Sequence, residues 1–134
     1  MLRIAAFSVL ALAGFFAVQT SHAQDKAKGL PFTRKSIELG KQVYLRNCTM
    51  CHDRDGRSLS GRDFTTVAPA DLTDPDAYIH GKTAAEIFKN IREGTKDEMP
   101  PYKNLKDDDI WHLANFCRSL WPEAVRPKLE DDGK

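Results

Sequence analysis

The sequence has little of what repetitive, nucleic-acid-binding or membrane-spanning proteins need. It contains only three cysteines and no internal repeat in 134 residues, and its 20 basic residues are matched by 19 acidic ones. A nucleic-acid partner usually requires a clear basic excess, so none is expected. The main apolar run, residues 4–18, is too short to span a membrane comfortably. We therefore expect one small domain with no nucleic acid partner and no membrane span.

Residues 1–23 instead have the pattern of an export signal. Arg3 supplies a positive start, the apolar run follows, and the small residues Ser21 and Ala23 occupy the positions that a signal peptidase reads. We predict a signal peptide that is cleaved after Ala23 and a mature protein that is periplasmic and soluble. A retained amphipathic anchor is the alternative, but the run is apolar all round.

The rest of the chain divides into three parts. Residues 24–35 are polar and lack a sustained period, which predicts a flexible lead-in. Residues 36–121 carry the periodic apolar segments of one domain. Residues 122–134 are rich in charge and contain Pro127, so we predict a disordered tail there.

Three segments of this domain predict helices. In residues 36–51, apolar and small side chains recur at three- and four-residue steps, and Ser36 is the expected cap. The helix predicted over residues 84–93 begins at a capping box formed by Thr83 and Glu86 and ends before a glycine. Residues 107–120 place an apolar stripe on one face, and Pro122 prevents continuation. The predicted fold is all-α, with about three main helices.

A Cys-x-x-Cys-His motif, made by Cys48, Cys51 and His52, ends the first predicted helix. In a helix these positions are i, i+3 and i+4, so both sulfurs and the imidazole project from one face. The pattern is typical of covalent haem c attachment, with thioether bonds from the two cysteines and His52 as an axial iron ligand. Its single copy predicts one haem. Wrapping around such a cofactor would explain the long irregular segment 53–82.

Two other kinds of site use paired cysteines. A dithiol redox pair would need a strand-helix-strand surround, which the predicted elements lack. A zinc site would need two more ligands from Cys117, His80 and His112, and these residues do not form a second tight pair. The spacing therefore favours haem over both.

The opposite axial position of the iron needs a ligand, and Met99 is the candidate. Two prolines follow Met99 and would stiffen the chain, so that a thioether could be held at the metal. Met50 lies inside the attachment motif and cannot reach round the haem. His112, within the third predicted helix, is expected to be a surface or hydrogen-bonded histidine, which leaves His80 as the substitute ligand. His/Met ligation would raise the reduction potential.

With these motifs the chain resembles a class I bacterial cytochrome c, a family with one His/Met-ligated haem. Gly40 and Tyr44 resemble the small-plus-aromatic pair of the family's first helix, which implies packing against Phe116 of the last helix. The stretch around Pro69 is similar to the family's proline-leucine segment. The resemblance implies that the Pro69 carbonyl accepts a hydrogen bond from His52 and orients it.

Two residues depart from the family pattern. Lys106 stands where a serine or threonine often caps the last helix, and Cys117 is an additional cysteine on the apolar stripe of that helix. We expect Cys117 to be a small buried side chain, with an intermolecular disulfide as the alternative.

The resemblance implies an electron carrier rather than an enzyme. Iron with ligands on both sides has no open position for a substrate, so one electron at a time would pass between redox proteins, such as a periplasmic dehydrogenase and a terminal oxidase or reductase. The basic stretch 82–106 is a candidate docking surface. The alternatives are a fixed electron-transfer subunit of a periplasmic dehydrogenase or reductase complex and, with Met99 unbound, a high-spin haem protein with catalytic or gas-binding activity.

Overall fold

The computed structural model describes residues 29–63, 65–96 and 99–132. Within these ranges, no helix has both the length and the apolar character needed to cross a membrane. The predicted signal peptide and the first part of the predicted lead-in lie outside the described residues.

The described part of the chain is helical and contains no strand. Its four α-helices are α1 (Arg34–Asn47), α2 (Thr49–His52), α3 (Ala84–Glu93) and α4 (Asp107–Ser119). Two short 3₁₀ turns lie between α2 and α3, at Gly61–Asp63 and Pro75–Ala77. Because α1, α3 and α4 are the long helices, the prediction of an all-α fold with three main helices is confirmed.

Helix α1 begins at Arg34, because Thr33 rather than Ser36 caps it. The Thr33 hydroxyl accepts a hydrogen bond from the Ser36 backbone N–H at 3.1 Å, which is the usual N-cap arrangement. At its other end the helix stops just before Cys48, whose φ of −115° departs from regular helical geometry, and α2 then carries the chain to His52. The predicted helix 36–51 is therefore present as two consecutive pieces.

Helices α3 and α4 agree closely with their predicted spans. At the start of α3 the Glu86 N–H donates to the Thr83 hydroxyl at 3.3 Å, and the Thr83 N–H donates to the Glu86 carboxylate at 2.9 Å, which completes the capping box. Lys106, which precedes helix α4, makes no side-chain capping bond. Instead, the negative charges of three aspartates in the first turn of α4 interact favourably with the positive end of the helix dipole. It ends at Ser119, just short of the predicted boundary.

The core forms where α1 crosses α4 at Gly40. A Cβ atom on Gly40 would lie 2.0 Å from a backbone carbonyl oxygen of α4, so only glycine permits this approach. Beside it, the ring centroids of Tyr44 and Phe116 are 4.9 Å apart, which confirms the predicted contact. Ile110 and Leu113 are completely buried next to these rings. Burial of such a side chain contributes about 1.5–3 kcal/mol.

The described part of the charged tail returns to the start of the domain. The Glu130 N–H donates to the Phe32 carbonyl at 3.0 Å, and the Phe32 N–H donates to the Glu130 carboxylate at 2.9 Å. Buried Asn115 of α4 donates to two further lead-in carbonyls, at 3.1 and 2.9 Å. The sequence predicts disorder for residues 122–134; in the structure Glu130 and Asp132 of this segment make hydrogen bonds with Phe32 and Lys35, which charge composition does not reveal.

Candidate cofactor site

An open cavity lies between the end of α1, the loop 65–81 and the segment 99–102. The empty space of this cavity, including its open mouth, is about 1280 Å³. The surface of this lining is mostly apolar. The four predicted cofactor residues all line this cavity: Cys48, Cys51, His52 and Met99. An apolar wall with sulfur and imidazole groups in it suits a large, flat, mostly apolar cofactor that contains a metal.

The two motif sulfurs and the imidazole come from one short helical segment. Cys51 and His52 lie in α2 and Cys48 stands at its N-cap, so the predicted i, i+3 and i+4 arrangement is present. The His52 N–H donates to the Cys48 carbonyl at 2.9 Å, which holds this turn. A Cβ atom on Gly61 would lie 1.8 Å from the Cys51 carbonyl oxygen, so the following loop packs directly against the motif.

Burial favours the neutral forms of the Cys48 thiol and the His52 imidazole. It raises the pKa of the Cys48 thiol to about 12, and the neighbouring Cys51 adds to the effect. It lowers the pKa of the His52 imidazole, against the opposing effects of a hydrogen bond to Ala70 and the charge of Asp53. Neutral imidazole is the form that binds a metal through a ring nitrogen.

The imidazole of His52 is held through its Nδ1 atom. Nδ1 lies 2.9 Å from the Ser58 hydroxyl and 3.2 Å from the Ala70 carbonyl oxygen. The Ser58 hydroxyl itself donates to the same Ala70 carbonyl at 2.5 Å. With Nδ1 engaged in this way, Nε2 is the nitrogen left for a metal.

The prediction that Pro69 supplies the carbonyl for His52 is wrong. The acceptor is the next residue, Ala70, and Pro69 only lines the cavity. The register of this loop is fixed by Leu72, whose side chain is buried and whose N–H donates to the Gly56 carbonyl at 2.7 Å. Once Leu72 is anchored, the Ala70 carbonyl is the one that meets the imidazole.

Met99 is half-buried against the core, in a segment tied to the ends of two helices. The Thr95 N–H donates to the Met99 carbonyl at 3.0 Å. Tyr102 donates twice: its N–H to the Ile91 carbonyl in α3 at 2.9 Å and its hydroxyl to the Asn47 carbonyl in α1 at 3.0 Å. Protein hydrogen bonds on both sides of Met99 therefore tie this segment to α1 and α3.

Arg92 holds the same segment from the other side. Its guanidinium donates to the carbonyls of Tyr102 and Lys103 at 3.1 and 3.0 Å, and to the Asp107 carboxylate at 2.5 Å. Although Arg92 belongs to the basic stretch 82–106, these contacts give it a structural task. They link α3, the Met99 segment and the first turn of α4.

The other candidate ligands differ in position. His80 is exposed but lines the cavity, so it stays the substitute for Met99. The His112 Nδ1 lies 2.9 Å from the Ser36 hydroxyl, which confirms the prediction of a hydrogen-bonded histidine. Met50 is 75% exposed. Within the described ranges, no three His, Cys, Asp or Glu side chains gather closely enough to hold a metal ion.

Cys117 is buried, with 6% of its surface exposed, and also lines the cavity. The prediction of a small buried side chain on the apolar stripe of α4 is confirmed, and the thiol is free in the structure.

Three residues of the site escaped the sequence analysis: Ser58, Ala70 and Arg92. Ala70 acts through its backbone carbonyl, which every residue possesses, so its side chain gives no signal. Ser58 is one of several hydroxyl residues after the motif, and its positive φ of 59° has no signature in a serine. The sequence does present Arg92 within the basic stretch, but a charge run does not reveal which member turns inward.

Comparison with known proteins gives consistent matches. The family model described as cytochrome c matches residues 37–121. The chain is 33% identical over 90 residues to the cytochrome c subunit of the quinone alcohol dehydrogenase of Gluconobacter oxydans, covering 61% of this chain and 18% of that protein. It is 28% identical over 96 residues to the cbb3-type cytochrome c oxidase subunit CcoP of Rubrivivax gelatinosus, covering 70% of this chain and 29% of that protein. The chain thus spans less than a third of either relative.

A solved structure resembles the described fold. Cytochrome cL from the marine methylotrophic bacterium Methylophaga aminisulfidivorans aligns with a TM-score of 0.57 and 28% identity. The alignment covers 73% of this chain and 64% of that one.

Proposed function

Because the chain belongs to the cytochrome c family, by its match over residues 37–121, we propose that it is a periplasmic one-electron carrier. Its cofactor is the covalently bound haem c of that family, with Cys48 and Cys51 at the attachment positions. When bound, haem supplies an iron centre that alternates between the ferric and ferrous states. The observation that carries the proposal is the shared cavity, since Cys48, Cys51, His52 and Met99 all line it.

Each of these residues has a distinct task. Cys48 and Cys51 form thioether bonds and keep the cofactor in a small domain. His52 presents Nε2 to the iron, because Ser58 and Ala70 engage its Nδ1. Met99 presents a soft thioether, which raises the reduction potential. If His52 and Met99 both held the iron, no position would be left for a substrate, and this favours electron transfer over catalysis.

The absorption spectrum of the haem-loaded protein tests this proposal. The ferric protein, matured by a c-type cytochrome assembly system, should be six-coordinate and show the weak sulfur-to-iron band at long wavelength. Met99→Ala should abolish that band and give a high-spin spectrum with the haem still attached. Met50→Ala is the matched control, because Met50 is 75% exposed, and should leave the spectrum unchanged.

Two results would contradict the proposed ligation. A high-spin wild-type spectrum would favour the catalytic or gas-binding alternative. A spectrum that survives Met99→Ala but changes on His80→Ala would assign the second ligand to His80, which lines the same cavity.

Export is a separate part of the proposal. The apolar run and small residues of 1–23 support cleavage after Ala23. The periplasmic fraction should then yield a mature protein that begins at Gln24. A protein that keeps residues 1–23 and stays with the membrane would support the anchor alternative instead.

Docking is assigned to the lysine surface, defined as Lys82, Lys89, Lys96 and Lys103. All four side chains are exposed, and Lys96 and Lys103 flank the Met99 segment in the chain. Charge reversal of Lys96 and Lys103 together should slow electron exchange with the partner at low salt, with the effect fading at high salt. Reversal of Lys41 and Lys128, which are exposed elsewhere, is the matched control. Equal rates for both double variants would remove the lysine surface from the docking role.

A fixed subunit of a dehydrogenase or oxidase complex is the second candidate. Its support is that two relatives are named as subunits of such enzymes. Co-purification with a stoichiometric partner at moderate salt would support this candidate over a free carrier.

A further inference from the structure

We propose that Ser58 is a positioning residue that lowers the reduction potential of the haem through His52. The inference rests on the proposed ligation of the iron by His52. It starts from the position of Ser58, whose side chain is completely buried and whose hydroxyl lies 2.9 Å from His52 Nδ1. A buried hydroxyl needs hydrogen-bond partners. Ser58 has two, the His52 imidazole and the Ala70 carbonyl that also contacts this imidazole.

The protons of this network can be assigned. A neutral imidazole that offers Nε2 to a metal carries its proton on Nδ1. The Ala70 carbonyl oxygen can only accept, so the single Ser58 proton is donated to Ala70 across 2.5 Å. The Ser58 oxygen is then available to accept the Nδ1 proton. Donation therefore runs from His52 to Ser58 and from Ser58 to Ala70.

This order makes Ser58 a stronger acceptor than a solitary hydroxyl. A hydroxyl that donates one hydrogen bond is polarised and accepts another more strongly. The direct contact from Nδ1 to Ala70 is longer, at 3.2 Å. A stronger pull on the Nδ1 proton makes the imidazole a more basic ligand, which favours ferric over ferrous iron. Without the Ser58 hydroxyl the potential should rise.

The backbone of Ser58 is bent to reach this place. Its φ is 59°, in the left-handed region that favours glycine, and its N–H donates to the His52 carbonyl at 3.3 Å. Ser58 thus binds both the main chain and the ring of His52. If Ser58 served only to form the turn, glycine would fit this φ better. The presence of serine therefore points to a function of its hydroxyl.

The test compares Ser58→Ala, Ser58→Gly and Ser58→Thr as haem-loaded proteins in a spectroelectrochemical titration. Both Ala and Gly remove the hydroxyl, but only Gly also relieves the positive φ, so a shift common to both reports the hydroxyl alone. At a fixed applied potential, their ratio of reduced to oxidised haem should rise by up to about tenfold, because the free energy of one hydrogen bond is the upper limit of the difference that its loss makes between the two oxidation states. A tenfold change corresponds to 59 mV for one electron.

Two controls separate positioning from a general structural effect. Ser58→Thr retains a hydroxyl and should stay near the wild-type potential. Ser60→Ala removes an exposed hydroxyl of the same loop that interacts with Asp53 instead of His52. It should leave the reduction potential at the wild-type value. Proton NMR gives a second readout, since the Nδ1 proton should exchange with heavy water faster in Ser58→Ala and Ser58→Gly.

The outcomes distinguish this inference from the proposed function. Equal potentials and exchange rates in the wild type, Ser58→Ala and Ser58→Gly, with the six-coordinate spectrum retained, would overturn the role of Ser58 and leave His52 ligation intact. A wild-type spectrum without histidine ligation would overturn the proposed function and the inference with it.

Discussion

The Tyr44 hydroxyl lies 3.0 Å from the carbonyl oxygen of His52 and 2.7 Å from that of Asp53. The chain turns sharply at Asp53, where φ is 57°, so these carbonyls leave the helical hydrogen-bond pattern. The ring of Tyr44 meanwhile packs on Phe116 in the crossing of α1 and α4. One side chain therefore joins the core of the domain to the backbone that carries the imidazole.

The variant Tyr44→Phe removes this link while keeping the ring. We expect it to lower the free energy of unfolding by about 1–3 kcal/mol, because the Asp53 carbonyl loses the Tyr44 donor and the His52 carbonyl keeps only the Ser58 N–H. Urea unfolding of the haem-loaded protein measures the loss. Tyr44→Leu, which also loses the ring contact with Phe116, should lose more. Stability equal to wild type in Tyr44→Phe would mean that the hydroxyl contributes nothing.

The contacts of Arg92 lead to a prediction about the Met99 segment. Arg92→Met should lower the temperature at which the sulfur-to-iron band disappears. It should also lower the free energy of unfolding by about 1–2 kcal/mol, since charge-assisted hydrogen bonds are lost but Asp107 is largely exposed. Lys89→Met is the control, because its exposed pair with Glu93 at 4.0 Å contributes little. Identical melting of the two variants would speak against a holding role for Arg92.

His112 should make stability depend on pH. Burial lowers its pKa from the ordinary 6.5, although Asp108 and Asp109 act in the opposite direction. The folded state then holds the neutral imidazole while the unfolded state takes up a proton below pH 6.5, so the free energy of unfolding falls as the pH drops below 6.5. Above pH 6.5 the imidazole is neutral in both states, so His112 no longer lowers the free energy of unfolding.

Urea unfolding of the haem-loaded protein on both sides of that pH checks the effect. His112→Gln should show a smaller decline than the wild type. An unchanged decline in His112→Gln would assign it to other groups.

Thiol labelling tests the state of Cys117 and of the haem linkage together. Burial raises the pKa of the Cys117 thiol, and a buried neutral thiol reacts slowly with alkylating reagents. The native haem-loaded protein should therefore take up no iodoacetamide, and the unfolded protein a single label, because the proposed thioether bonds would occupy Cys48 and Cys51. Mass spectrometry counts the labels. Additional labels would contradict the double linkage, and none after unfolding would point to a disulfide at Cys117.

The helices were predictable because their signals are local. The Thr83 and Glu86 capping box, the stop at Gly94 and the apolar stripe of α4 each lie within a few residues of the element that they define. The cap of α1 was misplaced to Ser36 because Thr33 and Ser36 are both capping residues, and only the backbone at Thr33 decides between them.

The site was predictable as far as its chemistry is carried by unusual side chains. Two cysteines, a histidine and a proline-flanked methionine can be recognised by type and spacing, and the structure brings them to one cavity. The support of His52 was not predictable, because it uses the Ala70 carbonyl and a serine in a left-handed conformation. Those choices depend on how Leu72 anchors the loop, which is a tertiary effect.

The pairing of Glu130 with Phe32 has a consequence for protein engineering. It places the two described ends of the chain side by side, and no residue of 29–43 or 118–132 lines the cavity. Domains with adjacent termini tolerate insertion into a host loop and circular permutation. Residues 29–132 could therefore be spliced into a scaffold through two short linkers at one point, leaving the cavity mouth free to face an electrode or a redox enzyme.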